Sequence, residues 1–532
     1  MQRVGRWLWL RTPLIAVALL SGLPMQAAEQ IAAPHSRGIS KLVSVASDGK
    51  LHYQPYDERG DSIPDFSNCG YGGGGVAIPA VPVKATVTPK PRASDDTQRI
   101  QAALDQVSKL PLDKDGFRGT VLLKRGRYRI EGALEINASG VVLRGEGQGE
   151  DGTVLFAAGT RERVLINVWG RSGAREARGT RQKITSSYVP VGGRTFEVAD
   201  GAKFKAGDTV LVSRIGNSAW IHALSMDQIT PRPGNPKSTR QWSPFALESD
   251  RVITVVAGNR ITIDAPITCA IEAQWGGGEI WRYEDSGRIE RAGVENLRGV
   301  SEFDPRVKGT ENGKEYFADE RHAIRLVNFD NVKNGWARDL TAEHFYHGVS
   351  AINGGAKWIT VQDCASLDPV SQLTGGRRYT FAIQGQLSLV QRCYARNARH
   401  AFVLGARVPG PNVFLDCKSE ADHATSEPHH RWSTGGLFDN VHSNLAIQDR
   451  QWMGSGHGWA GANYVIWNCE GSLICQQPPT AQNFAIGFLG QKKGGAFPRH
   501  EGWWESEGCH VEPRSLYLKQ LEDRVPNQKG KL

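Results

Sequence analysis

The sequence predicts an all-β protein, a parallel β-solenoid in which one cross-section is reused coil after coil. Three observations carry this. The first is a repeat: an apolar residue stands three places before a cysteine in Val361/Cys364, Val390/Cys393, Phe414/Cys417 and Ile466/Cys469, and the frame extends upstream to Ala337/Leu340 and Val294/Leu297. The second is the residue before each marker, which reads Asn296, Asp339, Asp363, Arg392, Asp416 and Asn468. Asn and Asp tolerate the left-handed backbone region that a sharp bend needs, so the column reads as a corner followed by an inward-pointing small residue. The third is composition, with 61 glycines, 26 prolines and few long amphipathic periods. Marker spacings of 43, 24, 29, 24 and 52 residues suit a coil of roughly 20–30 residues with loops of variable length.

The first residues hold Arg3, Arg6 and Arg11, then the apolar run Leu14 to Leu20, then small residues around Ala27 and Ala28. This is a secretory signal layout over 1–28, too short for a comfortable membrane span. The expected address is secreted or periplasmic, without stable membrane insertion, since no later long apolar run is free of charge. The formal net charge of +9 falls to about +6 without the three signal arginines, a modest excess that suits an anionic polymer. No nucleic-acid partner is assigned, and the oligomeric state is left open. The eight cysteines would ordinarily suggest disulfides in a secreted chain. Four of them share one column, however, and read as buried thiols acting as small hydrophobes. Cys69, Cys269, Cys475 and Cys509 fit no column.

Along the chain, 29–93 is an N-terminal extension whose Gly-rich stretch Asp61 to Pro79 reads as a cap or lid. At Ser94 to Leu104 (SDDTQRIQAAL), Ser94 is placed to cap a short helix with Ile100, Ala103, Leu104 and Val107 on one face. That helix suits one end of a solenoid, which must cover its hydrophobic interior. The alternating segment TVLLKRGRYRIEGALEINASGVVLRGEG follows, with glycines at the bends. Together, DDTQRIQAAL, TVLLKRGRYRI, LEINASGVVLRGEGQG and the later VxxxC coils resemble the pectate-lyase-like right-handed parallel β-helix superfamily, over about Ser94 to Gln491. The resemblance implies that fold, a glycan-related role and a scaffold shared by lyases, hydrolases, epimerases and phage tailspikes.

The expected organisation is capping helix and first coils over 94–182, an inserted small β-barrel over 183–283, the main β-helix over 284–490 and a C-terminal cap over 491–532. Within the insertion, VPVGGRTFEVADGAKFKAGDTVLVSR and RVITVVAGNRITIDAPI are short alternating strands outside the solenoid frame. Between them lies a loop carrying Trp220, His222, Asp227, Arg232 and Trp242, which reads equally as an overhang of the substrate face or as a packing surface.

Candidate chemistry lies where strands begin after the marker: His322, His347, Tyr379 and His400 open successive strands, and HHRW places His430 and Arg431 near the same point. Elimination at a uronic acid needs an electrophile on the carboxylate, a base near C5 and a proton donor near O4. His430 or His400 is assigned as base, Tyr379 as acid or base, and Arg431 or Arg378 as neutraliser. His347, Arg377, His429, Trp432, Arg450, Trp452 and His457 are expected to bind substrate, the last three from the Gly-rich loop DRQWMGSGHGW. No metal or other cofactor is predicted: the regular Asp339/Asp363/Asp416 column is assigned to bends, so Ca2+ lacks an acidic cluster. The expected activity is a polysaccharide lyase on an extracellular, acidic glycan. The alternatives are a glycoside hydrolase using Glu420, Asp422, Glu427, Asp439 or Asp449, and a non-catalytic glycan-binding envelope protein.

Overall fold

A computed structural model describes residues 38–90 and 94–525; the expected signal segment lies outside them. The chain winds as a parallel β-helix. One face is a seven-stranded parallel sheet that runs in order through Leu134–Ile136, Arg163–Trp169, Ala323–Asp330, Gly348–Ile352, Tyr379–Ile383, His400–Leu404 and Glu427–Pro428. The other faces form a longer ladder, in which Val361, Val390, Phe414, Phe438, Ile466, Ala485 and Trp504 lie in register.

The bend column is where the sequence places it. Asn296, Asp339, Asp363, Arg392, Asp416 and Asn468 all have φ between 49° and 57°. A second corner of the same kind runs through His344, Asp368, Asn397 and Ala421. After the first corner the chain points a small side chain inward, and the four cysteines are buried free thiols. Each Sγ faces the carbonyl of the coil before it, from Cys393 to Val361 at 3.7 Å and from Cys469 to Phe438 at 3.2 Å. One coil is absent from the cysteine frame. Lys418, His442 and Glu470 are in register, so Val441 lies between Cys417 and Cys469, preceded by Phe438 and by Asn440 at φ 52°. The interval of 52 residues therefore holds two coils, and any small apolar residue serves at the marker.

The helix Thr97–Ser108 buries Ile100, Leu104 and Val107 against the first coils; its N-cap is Asp96, not Ser94. The Gly-rich stretch and the C-terminal helix Leu516–Arg524 lie together along the outside of the long ladder. There Phe66 and Tyr517 pack with Leu389, Val413 and Val465, and Tyr517 Oη donates to the Cys69 carbonyl at 2.8 Å.

Between Arg163–Trp169 and Gly293–Ser301 the chain leaves the solenoid, while the coils on either side remain neighbours. Antiparallel pairing begins at Arg175–Glu176 and ends at Gly278–Glu284, a few residues outside the expected start. The strands enclose their own core of Phe196, Val210, Val212, Ile253, Ile261 and Ile280, and an Ile184–Val198 bridge joins the first strands of the set. A buried ion network ties this module to the solenoid: Asp250 contacts Lys357 Nζ and Arg288 NH1, both at 2.7 Å. Those two cations hold the Asp250 carboxyl well below its ordinary range despite burial.

Candidate functional site

Parallel stacking sets residues distant in sequence side by side on the seven-stranded sheet. Tyr379 and His400 are paired across adjacent strands, and His347 precedes the next strand over. Ring centroids are 5.7 Å apart for His347–Tyr379, 5.1 Å for Tyr379–His400, 5.2 Å for Tyr379–His429 and 4.8 Å for His400–His429. His457 from the Gly-rich loop completes the group, 4.9 Å from both His429 and His430.

A directed hydrogen-bond chain runs through it. Tyr379 Oη lies 2.9 Å from His429 Nε2, and His429 Nδ1 lies 2.8 Å from Glu427 Oε1. Arg450 NH1 donates to Glu427 Oε1 and lies within hydrogen-bonding distance of both the His429 carbonyl and His429 Nδ1, and a carboxylate paired with a guanidinium is an acceptor only. The proton shared with Glu427 therefore belongs to His429 Nδ1, and Nε2 is left as the acceptor for the tyrosine hydroxyl. His400 donates through Nδ1 to the Thr425 carbonyl at 2.6 Å, and its buried Nε2 has no partner among the described residues.

Burial and neighbouring guanidiniums keep the imidazoles neutral. Desolvation, with Glu427 opposing it, lowers His400 to about 3. Desolvation followed by Arg431 and Arg450 lowers His430 to about 4. His347 and His429 are pushed well below the usual range, mainly by burial. Tyr379 is raised by burial, with Arg399 pulling in the opposite direction.

The remaining assigned residues divide. Arg378 sits beside Tyr379 in sequence but at φ 52°, and its guanidinium ends on the carbonyls of Ser371, Phe317 and Asn397. It lines a different cavity, of about 870 Å³, with Tyr316, Asp368 and His423. Arg431 bonds the Ser455 carbonyl and hydroxyl, and Arg377 is paired with Glu320. Trp432 is 0% exposed, so no sugar ring can stack on it. It packs edge-on against Trp220 at 5.2 Å, in a seam with Trp242 and Trp459. The insertion's aromatic loop is thus a packing surface at those tryptophans, while His222 is exposed and pairs with Asp227. Trp452 is half-buried against Phe497.

Sequence reasoning missed Arg399 and Arg325 and placed Glu427 only among hydrolase carboxylates. The available signal was an arginine inside or directly before a strand whose other residues are apolar, as in HAIRLV and RHAFVLG. His400, Glu427 and His429 also bring nitrogen and oxygen donors within 4.8 Å of one another. Arg450 NH1 stands among them, bonded to Glu427 and 2.7 Å from His429 Nδ1. A cation already fills that position, and two imidazoles are a poor match for the all-oxygen shell of Ca2+.

The fold and this cluster define a parallel β-helix protein with a Tyr–His–Glu chain on its sheet face. No family model and no curated protein matches the chain. Among solved structures it is similar to the Pseudomonas phage phi297 tailspike gp61, at 12% identity over 75% of this chain and 58% of that one, with a TM-score of 0.41. It is also similar to the Gp54 tailspike of Acinetobacter baumannii bacteriophage AP22 in complex with capsular saccharide, at 12% identity over 75% and 54%, with a TM-score of 0.39. The chain thus spans a little over half the length of these proteins.

Proposed function

We propose that the protein is a secreted or periplasmic enzyme, exported by its N-terminal signal, that cleaves an acidic polysaccharide by β-elimination. In this reading the antiparallel insertion is a small barrel domain and the Thr97–Ser108 helix caps the right-handed solenoid. The observation that carries the proposal is the Tyr379–His429–Glu427 chain. Tyr379 passes its proton to His429 Nε2, takes the C5 proton of the uronic acid, and later returns a proton to the departing O4. Burial disfavours tyrosinate and imidazolium singly, but the two together are neutral. Arg399 favours the first and Glu427 the second. Arg399, which bonds the Gly375 carbonyl through NH1 and whose charge acts on Tyr379, is in this reading the group that receives the substrate carboxylate, in place of Arg378 and Arg431. His430, half-buried at the rim with Nδ1 unpartnered, is a second neutral imidazole within the site, whereas His400 is too enclosed to reach a sugar and positions its neighbours.

Hydrolysis needs two carboxylates across one bond. Here Glu427 is held by Arg450, Asp449 by Arg499 and Asp439 by Ser515, and Asp422 is turned to Ser419 and Ser443. The test is a screen of the mature protein against uronic-acid and neutral polysaccharides, reading reducing ends together with the ultraviolet absorbance of an unsaturated product. Both signals are expected on an acidic polymer. Reducing ends alone would replace elimination by hydrolysis, and neither signal across the panel would leave a glycan-binding protein.

A further inference from the structure

Two buried arginines of this protein are well satisfied by carbonyls, and a third, Arg214, which has one long bond to the Ala270 carbonyl and an NH1 unpartnered among the described residues, stacks on the Trp220 ring. Arg163 donates to the carbonyls of Gly132, Arg161, Ile130 and Ala158 at 2.7–2.9 Å. Arg251 donates to Ala265, Asp250, Pro266 and Gly410 at 2.7–3.0 Å. Arg325, one strand from Arg163 on the same sheet, is different. Its relative exposure is 9%. Its contacts are at the outer limit of hydrogen bonding, 3.5 Å to Asn328 Oδ1 and 3.4 Å to the Tyr379 carbonyl. Among the described residues its Nε has no partner and it forms no ion pair. A buried cation left this way is costly unless something supplies the missing negative charge.

Its position says what that something is. The guanidinium crosses the strand Gly348–Ile352 to reach the Tyr379 carbonyl, so it lies on the face that carries the Tyr–His–Glu chain. His347 accepts the Tyr379 amide through Nδ1 at 3.2 Å, which puts its proton on Nε2 as a further donor. Away from Tyr379, Asn328 is in register with Asn167, and both line a cavity of about 340 Å³ with Trp169, Glu135 and Asp330, whose carboxylates leave recognition of the acidic group to Arg325. Trp169 is half-buried and its indole is fixed on Glu135 at 2.7 Å. From the Tyr379 strand to the Asn167 strand is three strand spacings, about 14 Å, a length that accommodates a few sugar rings. From the Tyr379 strand to Asn328 the outward row carries the small side chains Ala382 and Ala351.

We infer that a glycan track runs along the solenoid axis from Tyr379 to the Trp169 cavity, and that Arg325 recognises an acidic group, carboxylate or sulfate, on a sugar flanking the reacting one. Trp169 is the stacking platform at the far end. The identity of the ligand as a glycan rests on the proposed function; the anion site itself does not.

The test uses the full mature chain with Arg325→Gln, Arg325→Met and Trp169→Ala. Thermal shifts with sodium glucuronate, and separately with inorganic sulfate, should appear in the wild type and vanish in both Arg325 variants; the anion giving the larger shift identifies the group read. On the acidic polymer, Arg325→Gln should raise KM at least tenfold with kcat little changed. Carboxyl-reduced or desulfated polymer should not distinguish it from wild type. Trp169→Ala should raise KM on both. Because the arginine is unpaired, Arg325→Met should melt no lower than wild type. A lowered melting point with unchanged anion shifts and KM would make Arg325 structural and overturn the inference. If glucuronate binding depends on Arg325 while no polysaccharide is cleaved, the lyase reading fails and the subsite stands.

Discussion

Two stacked columns in this solenoid use the same geometry to opposite ends. Inside, successive coils place Cys364, Cys393, Cys417, Val441 and Cys469 in line, each small and each thiol satisfied by a carbonyl of the previous coil. Burial pushes the thiols of Cys393, Cys417 and Cys469 up, away from reactivity. Outside, the same one-coil step brings His347, Tyr379, His400 and His429 together, but here the partners are specific and incomplete. Among the described residues, His400 Nε2, His430 Nδ1 and His457 Nδ1 are buried without hydrogen bonds. A column that is fully satisfied by the backbone tolerates exchange of one small residue for another. A column that depends on particular side chains stores the unmet hydrogen-bonding capacity that a ligand can use.

The largest expected effect is on turnover. In the proposed elimination, Tyr379→Phe removes the hydroxyl that would join His429 to the substrate and should reduce kcat about 10²–10⁴-fold while leaving the melting temperature within a few degrees; equal activity at native-like melting would move the chemistry elsewhere. Next is Glu427→Ala, which leaves Arg450 buried beside neutral imidazoles. Denaturant titration should show a loss of about 3–5 kcal/mol, against little change for Arg431→Lys at the rim. A small loss in Glu427→Ala would mean that the network is not the keystone of the outer column.

The pH dependence sharpens the contrast further. A histidine of the cluster titrates at 6.5 when unfolded, but His400 at about 3 and His430 at about 4 when folded. Between those values the unfolded chain binds more protons. Their contribution to stability is therefore complete above pH 6.5 and is lost as pH falls toward 4. Asp439 has the opposite sign: burial raises it from 3.8 to about 7, so its contribution is full below 3.8 and is lost as pH rises through 7. Stability measured from pH 4 to 7 should show a shallower rise with pH in His430→Gln, and less loss toward pH 7 in Asp439→Asn. Slopes identical to wild type would contradict the burial argument. The smallest effect belongs to the inner column: Cys393→Ser should cost about 1–3 kcal/mol by placing a hydroxyl in an apolar line, with kcat and KM unchanged.

The inner column was legible because its signal is local. A corner in the left-handed region favours Asn or Asp, the next position wants a small side chain, and both recur within a few residues of each other. The coil through Phe438 and Val441 escaped a frame read partly on cysteine because valine meets the same volume requirement. The outer site was legible only as residue types. The repeated strand starts brought forward Tyr379, His400 and the HHRW loop. They did not reveal that His429 faces Tyr379, that Arg378 turns toward Tyr316 and the other cavity, or that Trp432 is sealed behind Trp220.

By itself the sequence determined the winding of the chain, the corners and the inward column, since these follow from the conformational and volume preferences of single residues repeated at coil spacing. Tertiary structure alone decided which neighbour each polar side chain meets. Adjacent residues at a left-handed corner or a loop point in different directions, and the partners of Arg325, Tyr379 and Glu427 come from other coils, dozens of residues away.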